Sequence, residues 1–331
     1  MAGAYVLSSM LAFLLALYGT PLARAAALRF GVVDAPDGRL KNQSEPVPYM
    51  GGLSIYLAVL IPLCLFYTFD SRILAILLSG TLVLLLGLID DFGVLTPTAK
   101  FIGQIIATTV LIKGDVVIHV ASFPLWVNLI LTLLWILAMT NAMNIIDIMD
   151  GLAAGVAIII SLVLFVVAVV NDHRMIAIFT LTLTGSLAGF LRYNFRPARI
   201  YMGDAGSMFL GLSLGALAII GDYSAHNPVA FFNPLLIFGV ALFDTTYVMI
   251  LRSLKGRSMF LGSKDHFAIR LKVKGWPVVR IVMSSYLLSM VLGGLALANM
   301  YLAPQQSFII YGAVFLLFAA IGIWLARIKV R

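Results

Sequence analysis

Two adjacent carboxylates, Asp90 and Asp91, close the apolar run in "GLIDDFGVLTPTAK" (87–100), with Lys100 just downstream. Two like charges this close disfavour each other's ionisation unless a cation or hydrogen-bond donors intervene. Where phosphates are also present the usual cation is Mg²⁺, held by one or two carboxylates plus phosphate oxygens. The plain alternative is a solvated helix end. Carboxylates at a helix C-terminus oppose the macrodipole, however, which argues against chance placement.

A second constellation spaces Asn141, Asn144, Asp147 and Asp150 three residues apart in "TNAMNIIDIMDGLAAG" (140–155). Each step of three drifts by about 60° on a helix of 3.6 residues per turn, so one continuous helix would turn Asn141 and Asp150 to opposite sides. The pattern predicts instead a helix ending near Asn144, a turn at Gly151, and a cleft lined by all four groups. Amides and carboxylates together can hold a metal, a ribose or an amide-bearing sugar. Helix capping, the ordinary use of Asn and Asp, accounts for one or two of them, not four.

The third stretch, "RYNFRPARIYMGDAGSMFLG" (192–211), combines Arg192, Asn194, Arg196 and Arg199 with Asp204 between Gly203 and Gly206. The glycines let backbone N–H groups approach an anion, and a helix expected to start near Ser207 turns its positive end towards the loop. The Lys-Ser/Thr pair of a nucleotide-binding P-loop is absent. Between residues 252 and 280 lie eight Lys and Arg with His266 among them, a candidate donor to phosphate. The basic residues read equally well as headgroup contacts, with Trp276 as interface anchor. Asp244 lies two turns earlier, facing either the bundle interior or a water-filled cleft.

The elements that position these groups follow from composition. Of 331 residues 62% are hydrophobic and only 11% charged, against about a quarter charged in a soluble domain. The chain is therefore expected to be an all-α polytopic integral membrane protein. At about 20 residues per crossing, polar punctuation leaves about eleven spans, with ten as the lower count. They fall near 4–20, 51–69, 73–89, 101–112, 125–143, 153–170, 175–191, 208–221, 229–251, 281–301 and 308–326. No hydrophilic stretch leaves room for a soluble domain, so 1–331 reads as one transmembrane catalytic domain. Its main loops on the charged side are 21–50, 90–100, 144–151, 192–207 and 252–280.

All but three (Arg72, Lys113 and Arg174) of the 22 Lys and Arg fall in that one set of loops or at the C-terminal end. The positive-inside rule makes that side cytoplasmic, with the N-terminus outside and the C-terminus inside. "LARAAA" (22–27) resembles a signal cleavage site, but no basic residue precedes the first run, which reads as a retained helix. Asp34, Asp37, Glu45, Asp90, Asp91, Asp147, Asp150, Asp204 and Asp265 also lie on the basic side. Acids do not set topology, so their gathering there predicts a reaction site at the inner face. The net charge of +8 is explained by topology signals and anionic lipid, not by nucleic acid. Cys64 is the single cysteine and makes no intrachain disulfide. His119, His173 and His226 fall on the outer side and read as incidental.

Taken together, these motifs resemble those of the polyprenyl-phosphate N-acetylhexosamine-1-phosphate transferases, glycosyltransferase family 4, over nearly the whole chain and in the same order. "SEPVPYMGGL" is similar to the family's first cytoplasmic loop and "IDDFGVLTPTAK" to its paired-aspartate motif. "NAMNIIDIMDGLAAG" resembles the Asn-x-x-Asp-x-x-Asp-Gly motif, and "RYNFRPARIYMGDAGS" the stretch that supplies a nucleotide-binding asparagine and a magnesium-ligating aspartate. The resemblance implies Asp90, Asp91, Asp147, Asp150 and His266 as catalytic groups. It implies Lys100, Asn144, Asn194, Arg196, Gly203 and Arg270 as substrate contacts, and Asp204 with Asp91 as ligands of Mg²⁺, for which Mn²⁺ could substitute. Ile148 stands where the family usually has Gly, and Ile269 where a further His is common.

"PVPYMGG" and the reduced histidine loop "KDHFAIRL" make the chain look WecA-like rather than MraY-like. The implied reaction transfers N-acetylhexosamine 1-phosphate from a UDP-N-acetylaminosugar, UDP-GlcNAc first among them, to polyprenyl phosphate. UMP is released, and the lipid-linked product feeds cell-envelope polysaccharide such as O-antigen. A multi-pass inner-membrane location and a homodimer are implied with it. The alternatives are a phospho-N-acetylmuramoyl-pentapeptide transferase or, from another class, a secondary transporter. A transporter places its acids near the midplane in repeated halves, whereas here Asp244 alone lies within a span and no internal repeat is seen. An alcohol phosphotransferase is disfavoured because "DGLAAG" (150–155) lacks the arginine of that signature.

Overall fold

A computed structural model describes residues 2–34, 46–256 and 263–329. Asp37 and Glu45, and the inner parts of the loops 21–50 and 252–280, lie outside the described residues. The described chain is a helical bundle. α1 spans Ala2–Phe30, α2 Gly51–Phe66, α3 Ser71–Asp91, α4 Pro97–Lys113, α5 Leu125–Ile146, α6 Leu152–Val170 and α7 Arg174–Asn194. α8 spans Gly203–Ile220, α9 Asn233–Ile237, α10 Gly239–Leu254, α11 Phe267–Val273, α12 Val278–Asn299 and α13 Pro304–Ala326. Helices cover every expected span. Among the described residues eight are long and apolar enough to cross a membrane, or nine if one bent pair counts as a single span. α2, with 16 residues, and α4, with 17, are shorter. The chain is thus an all-α, multi-pass membrane protein.

Three boundaries differ from expectation. α1 continues through "LARAAA" to Phe30, because nothing in that alanine-rich stretch breaks a helix. α8 begins at Gly203 rather than near Ser207, and so takes Asp204 into its first turn. The ninth span is broken: a 3₁₀ turn and α9 meet α10 at 71°. Asn233 supports the bend by donating to Ala296 O at 2.8 Å, a buried hydrogen bond to α12. A small antiparallel pair also appears, β1 (Val33–Asp34) with β2 (Val47–Pro48), Val33 opposite Pro48.

α8 is the central helix, with 83% of its apolar window buried. Small residues let its neighbours approach closely, as is common between membrane helices. A side chain at Gly52 of α2 would collide with the backbone of Gly206, and one at Gly87 of α3 with the backbone of Ala205. The contact at Gly87 lies one turn before Asp91, so it brings the acidic end of α3 against the start of α8. The loop before α8 is tied down separately. Tyr201 N donates to Pro48 O at 2.9 Å, Gly51 N to Tyr201 O at 3.0 Å and Gly52 N to Met202 O at 2.9 Å.

Candidate active site

Four helix ends meet at one edge of the bundle: the C-termini of α3 and α5 and the N-termini of α4 and α8. Lys100, in the first turn of α4, places Nζ 2.8 Å from Asp90 Oδ2 and also pairs with Asp204 Oδ2. Asn144, in the last turn of α5, donates Nδ2 to Asp204 Oδ1 at 2.9 Å and contacts Ser207 Oγ at 2.9 Å. Asp91 accepts from the backbone N–H of Asp204 at 2.8 Å and of Ala205 at 3.4 Å. An anion at a helix N-terminus satisfies donors that lack intrahelical partners and complements the dipole. This cap is why α8 starts a turn earlier than its sequence suggests. Gly203 takes a positive φ of 70° directly beside the Asp91 carboxylate.

The Asn/Asp stretch breaks close to where its spacing places the break, but Asn141 and Asp150 bond outside the Asp204 cluster. α5 stops at Ile146, Asp147 follows it, and Gly151 takes a φ of 78° before α6. Asp147 makes no side-chain hydrogen bond or ion pair with another described residue. Burial, together with the charges of Asp204, Asp91 and Asp150, pushes its carboxyl up to about 8. Asp150 is used differently: its Oδ2 accepts Ala198 N at 3.1 Å and Arg196 Nη1 at 3.5 Å, tying the turn to the loop before α8. Asn141 lies below the site, where Nδ2 donates to Gln104 Oε1 at 2.8 Å.

Several of the implied groups are engaged within the protein itself. Asn194 is 2% exposed and spans two loops, accepting Gly151 N at 3.1 Å and donating to Ile200 O at 3.0 Å. It thereby acts as a strut between the turn at Gly151 and the loop before α8. Arg270 is 3% exposed. Its guanidinium donates to Asp265 Oδ1 at 2.6 Å, Leu325 O at 3.2 Å and Ile328 O at 2.5 Å. That buried network fastens α11 to the end of α13 and leaves no free edge for a phosphate. Asp91, with its carboxylate facing backbone donors of α8, positions the main chain of Asp204. No described hydrogen bond or ion pair joins His266 to the carboxylate cluster. Its Nδ1 faces Asp244 Oδ2 at 2.8 Å, while Asp244 Oδ1 accepts Phe267 N at 2.9 Å. Asp244 is fully buried. With Nδ1 engaged by Asp244, Nε2 is the nitrogen left for other partners.

Residues not singled out by sequence complete the edge. Ser207 and Gln104 hold Asn144 and Asn141; each lies one turn from a recognised residue, Asp204 and Lys100. Tyr286 donates to Gly151 O and fixes the turn after Asp150. The rings of Tyr49 and Tyr201 lie 6.3 Å apart beside the acids. Burial, then Asp150, Asp34 and Asp147, push the Tyr201 phenol up to about 12. The signal was present as "YMG" repeated at 49–51 and 201–203.

Among the described residues no three carboxylate, imidazole or thiolate groups form a protein-only metal cage. The donor set nevertheless fits Mg²⁺ bound together with phosphates, which needs only one or two carboxylates. Asp90 and Asp204 already converge on one cation, the Lys100 ammonium.

Fold and site together define a multi-pass membrane enzyme with a carboxylate centre at one edge of the helical bundle. The chain belongs to glycosyl transferase family 4, whose profile matches residues 73–222. A probable undecaprenyl-phosphate N-acetylglucosaminyl 1-phosphate transferase of Bacillus subtilis is 33% identical over 296 residues, covering 86% of this chain and 82% of that protein. A decaprenyl-phosphate N-acetylglucosaminephosphotransferase of Mycolicibacterium smegmatis is 32% identical over 333 residues, covering 89% and 82%. A phospho-N-acetylmuramoyl-pentapeptide-transferase of Caldicellulosiruptor bescii is 29% identical over 322 residues, covering 90% and 98%.

Proposed function

We propose that this protein transfers N-acetylglucosamine 1-phosphate from UDP-N-acetylglucosamine to a polyprenyl phosphate, releasing UMP. An oxygen of the lipid phosphate attacks the sugar-bearing phosphorus, and the bond from that phosphorus to the bridging oxygen breaks. UMP leaves with the bridging oxygen, and a polyprenyl-diphosphate-linked sugar remains. The observation that carries this reading is the meeting of Asp90, Asp204 and Lys100 where helix ends reach the bilayer edge. A lipid-bound and a water-borne phosphate can meet only there.

The attacking phosphate is already largely ionised near neutral pH, so repulsion between the two phosphates is the main barrier. Lys100 offsets it directly, and Asn144 and Asp91 keep Asp204 in place. Asp90 and Asp204 would hold Mg²⁺, which supplies neutralisation of the diphosphate oxygens. Asp147, unpartnered among the described residues and inclined to hold a proton, is suited to donate a hydrogen bond to a phosphate or sugar oxygen. His266, through Nε2, is suited to a phosphate or sugar oxygen.

The excess of Lys and Arg on the carboxylate side supports a cytoplasmic orientation of that side, and a helix over each of the eleven apolar runs supports eleven crossings of an inner membrane. α13 has only 6% of its apolar window buried and leaves a broad face for lipid or for a second copy in a homodimer. The test is to supply purified protein with radiolabelled UDP-N-acetylglucosamine, polyprenyl phosphate and Mg²⁺. Labelled lipid-linked sugar is expected, and it should vanish with chelator and in Asp204→Ala. Preference for a UDP-muramyl-pentapeptide donor would replace the present reading with the peptidoglycan one.

A further inference from the structure

A cleft of about 390 Å³ opens between α1 and the loop before α8, lined by Thr20, Pro21, Arg24, Tyr193, Arg199 and Ile200. Its floor is ordered: Thr20 Oγ1 donates to Ala16 O at 2.6 Å and lies 2.9 Å from Ser54 Oγ. Arg24 Nε donates to Arg199 O at 3.0 Å, which fixes the Arg24 stem across the cleft. Its two terminal nitrogens, and the whole Arg199 guanidinium, make no hydrogen bond or ion pair with another described residue. No carboxylate lines the cleft. Two arginines with free donor edges and no counter-charge match the oxygens of a phosphate group.

Depth narrows the source of that phosphate. From Ala2 to Arg24, α1 rises by about 33 Å at 1.5 Å per residue, close to the roughly 30 Å thickness of the hydrocarbon core. Arg24 therefore emerges where lipid headgroups begin. Arg199 lies five residues before Asp204, on the loop whose Tyr201 and Met202 bond to Pro48, Gly51 and Gly52. It follows that this headgroup level is the one at which the carboxylates sit.

We propose that this cleft is an accessory site for a phosphate group, supplied by an anionic phospholipid of the leaflet, that braces the loop carrying Asp204. The site is separate from the Asp90–Lys100–Asp204 centre. Binding transmits through Arg199 to Tyr201 and so to the start of α8.

The test reads binding, not turnover, so its outcome does not depend on the proposed reaction. Thermal unfolding of the full chain is followed in nanodiscs of phosphatidylcholine alone and with added phosphatidylglycerol, and in detergent with inorganic phosphate. Phosphatidylglycerol should raise the midpoint by roughly 3 °C or more. Arg199→Gln, whose side chain holds nothing within the protein, should lose most of the rise, and Arg24→Gln/Arg199→Gln all of it. Arg192→Gln, an exposed arginine outside the cleft, should keep it. A matching rise with inorganic phosphate in detergent would assign the same cleft to free phosphate rather than lipid. The proposal is overturned if neither ligand shifts the wild type, if Arg199→Gln responds fully, or if Arg192→Gln loses as much.

Discussion

Asp91 Oδ1 accepts the backbone N–H of Asp204 at 2.8 Å, although the two residues stand 113 apart in sequence. One acid of the site thus holds the main chain of another. Asp91→Asn keeps an accepting oxygen but loses the charge, so the fold should survive while turnover falls on the order of 10². Asp91→Ala should cost a further ~1 kcal/mol of stability through loss of the cap. Unfolding midpoints and rates measured on both variants separate the two contributions. A fully active Asp91→Asn would reduce the residue to a cap.

Lys100 stands between Asp90 and Asp204 and competes with any divalent cation for them. In Lys100→Met the two carboxylates face each other without a counter-charge. The Mg²⁺ concentration for half-maximal activity should fall on the order of tenfold, while the maximal rate drops by about 10² or more. A Mg²⁺ titration reads both, and an unchanged requirement would mean that metal binds elsewhere.

Asp147 gives a pH dependence of unusual sign. Its carboxyl, pushed up to about 8 by burial and neighbouring acids, keeps a proton in the folded protein that the unfolded chain releases at much lower pH. Stability should therefore fall as pH rises towards about 8 and level off above it. Asp147→Asn should flatten that fall in Mg²⁺-free buffer, raise the midpoint at the alkaline end, and abolish transfer. Parallel pH profiles for variant and wild type would contradict the assignment.

Asp244 and His266 should behave as one unit. Asp244→Asn retains an acceptor for Phe267 N but no longer forces the proton onto Nδ1 of His266. Its activity should fall to that of His266→Ala, and the double variant should be no worse than either single change. Asp244→Ala should also destabilise by about 2 kcal/mol, since it leaves the buried Phe267 N–H and His266 Nδ1 without their acceptor. Additive losses in the double variant would show independent roles.

What could be read from sequence was local geometry. Steps of three residues drift around a helix, and Gly151 supplies the one positive φ in that turn, so the break between α5 and α6 was legible before any coordinates. Lys100 and the Asp90/Asp91 pair were legible because charge beside apolar runs has few uses. The start of α8 was not, because its cap arrives from α3. Arg270 looked like a phosphate ligand on a basic loop. Only the tertiary fold reveals that backbone carbonyls at and just beyond the end of α13 occupy it. Asp244 stood out as a buried acid, but its partner lies 22 residues on, beyond the reach of any helical spacing.

The cap that joins Asp91 to α8 has a consequence for biogenesis. When α3 enters the bilayer its acidic end has nothing to hold, and it must wait until ribosome and translocon have delivered the eighth helix. A nascent chain halted before Gly203 carries Asp90, Asp91, Lys100 and Asn144 yet has no centre. Capacity to bind the metal–diphosphate pair is therefore a late milestone of membrane insertion, and its appearance during synthesis would time the arrival of α8 beside α3.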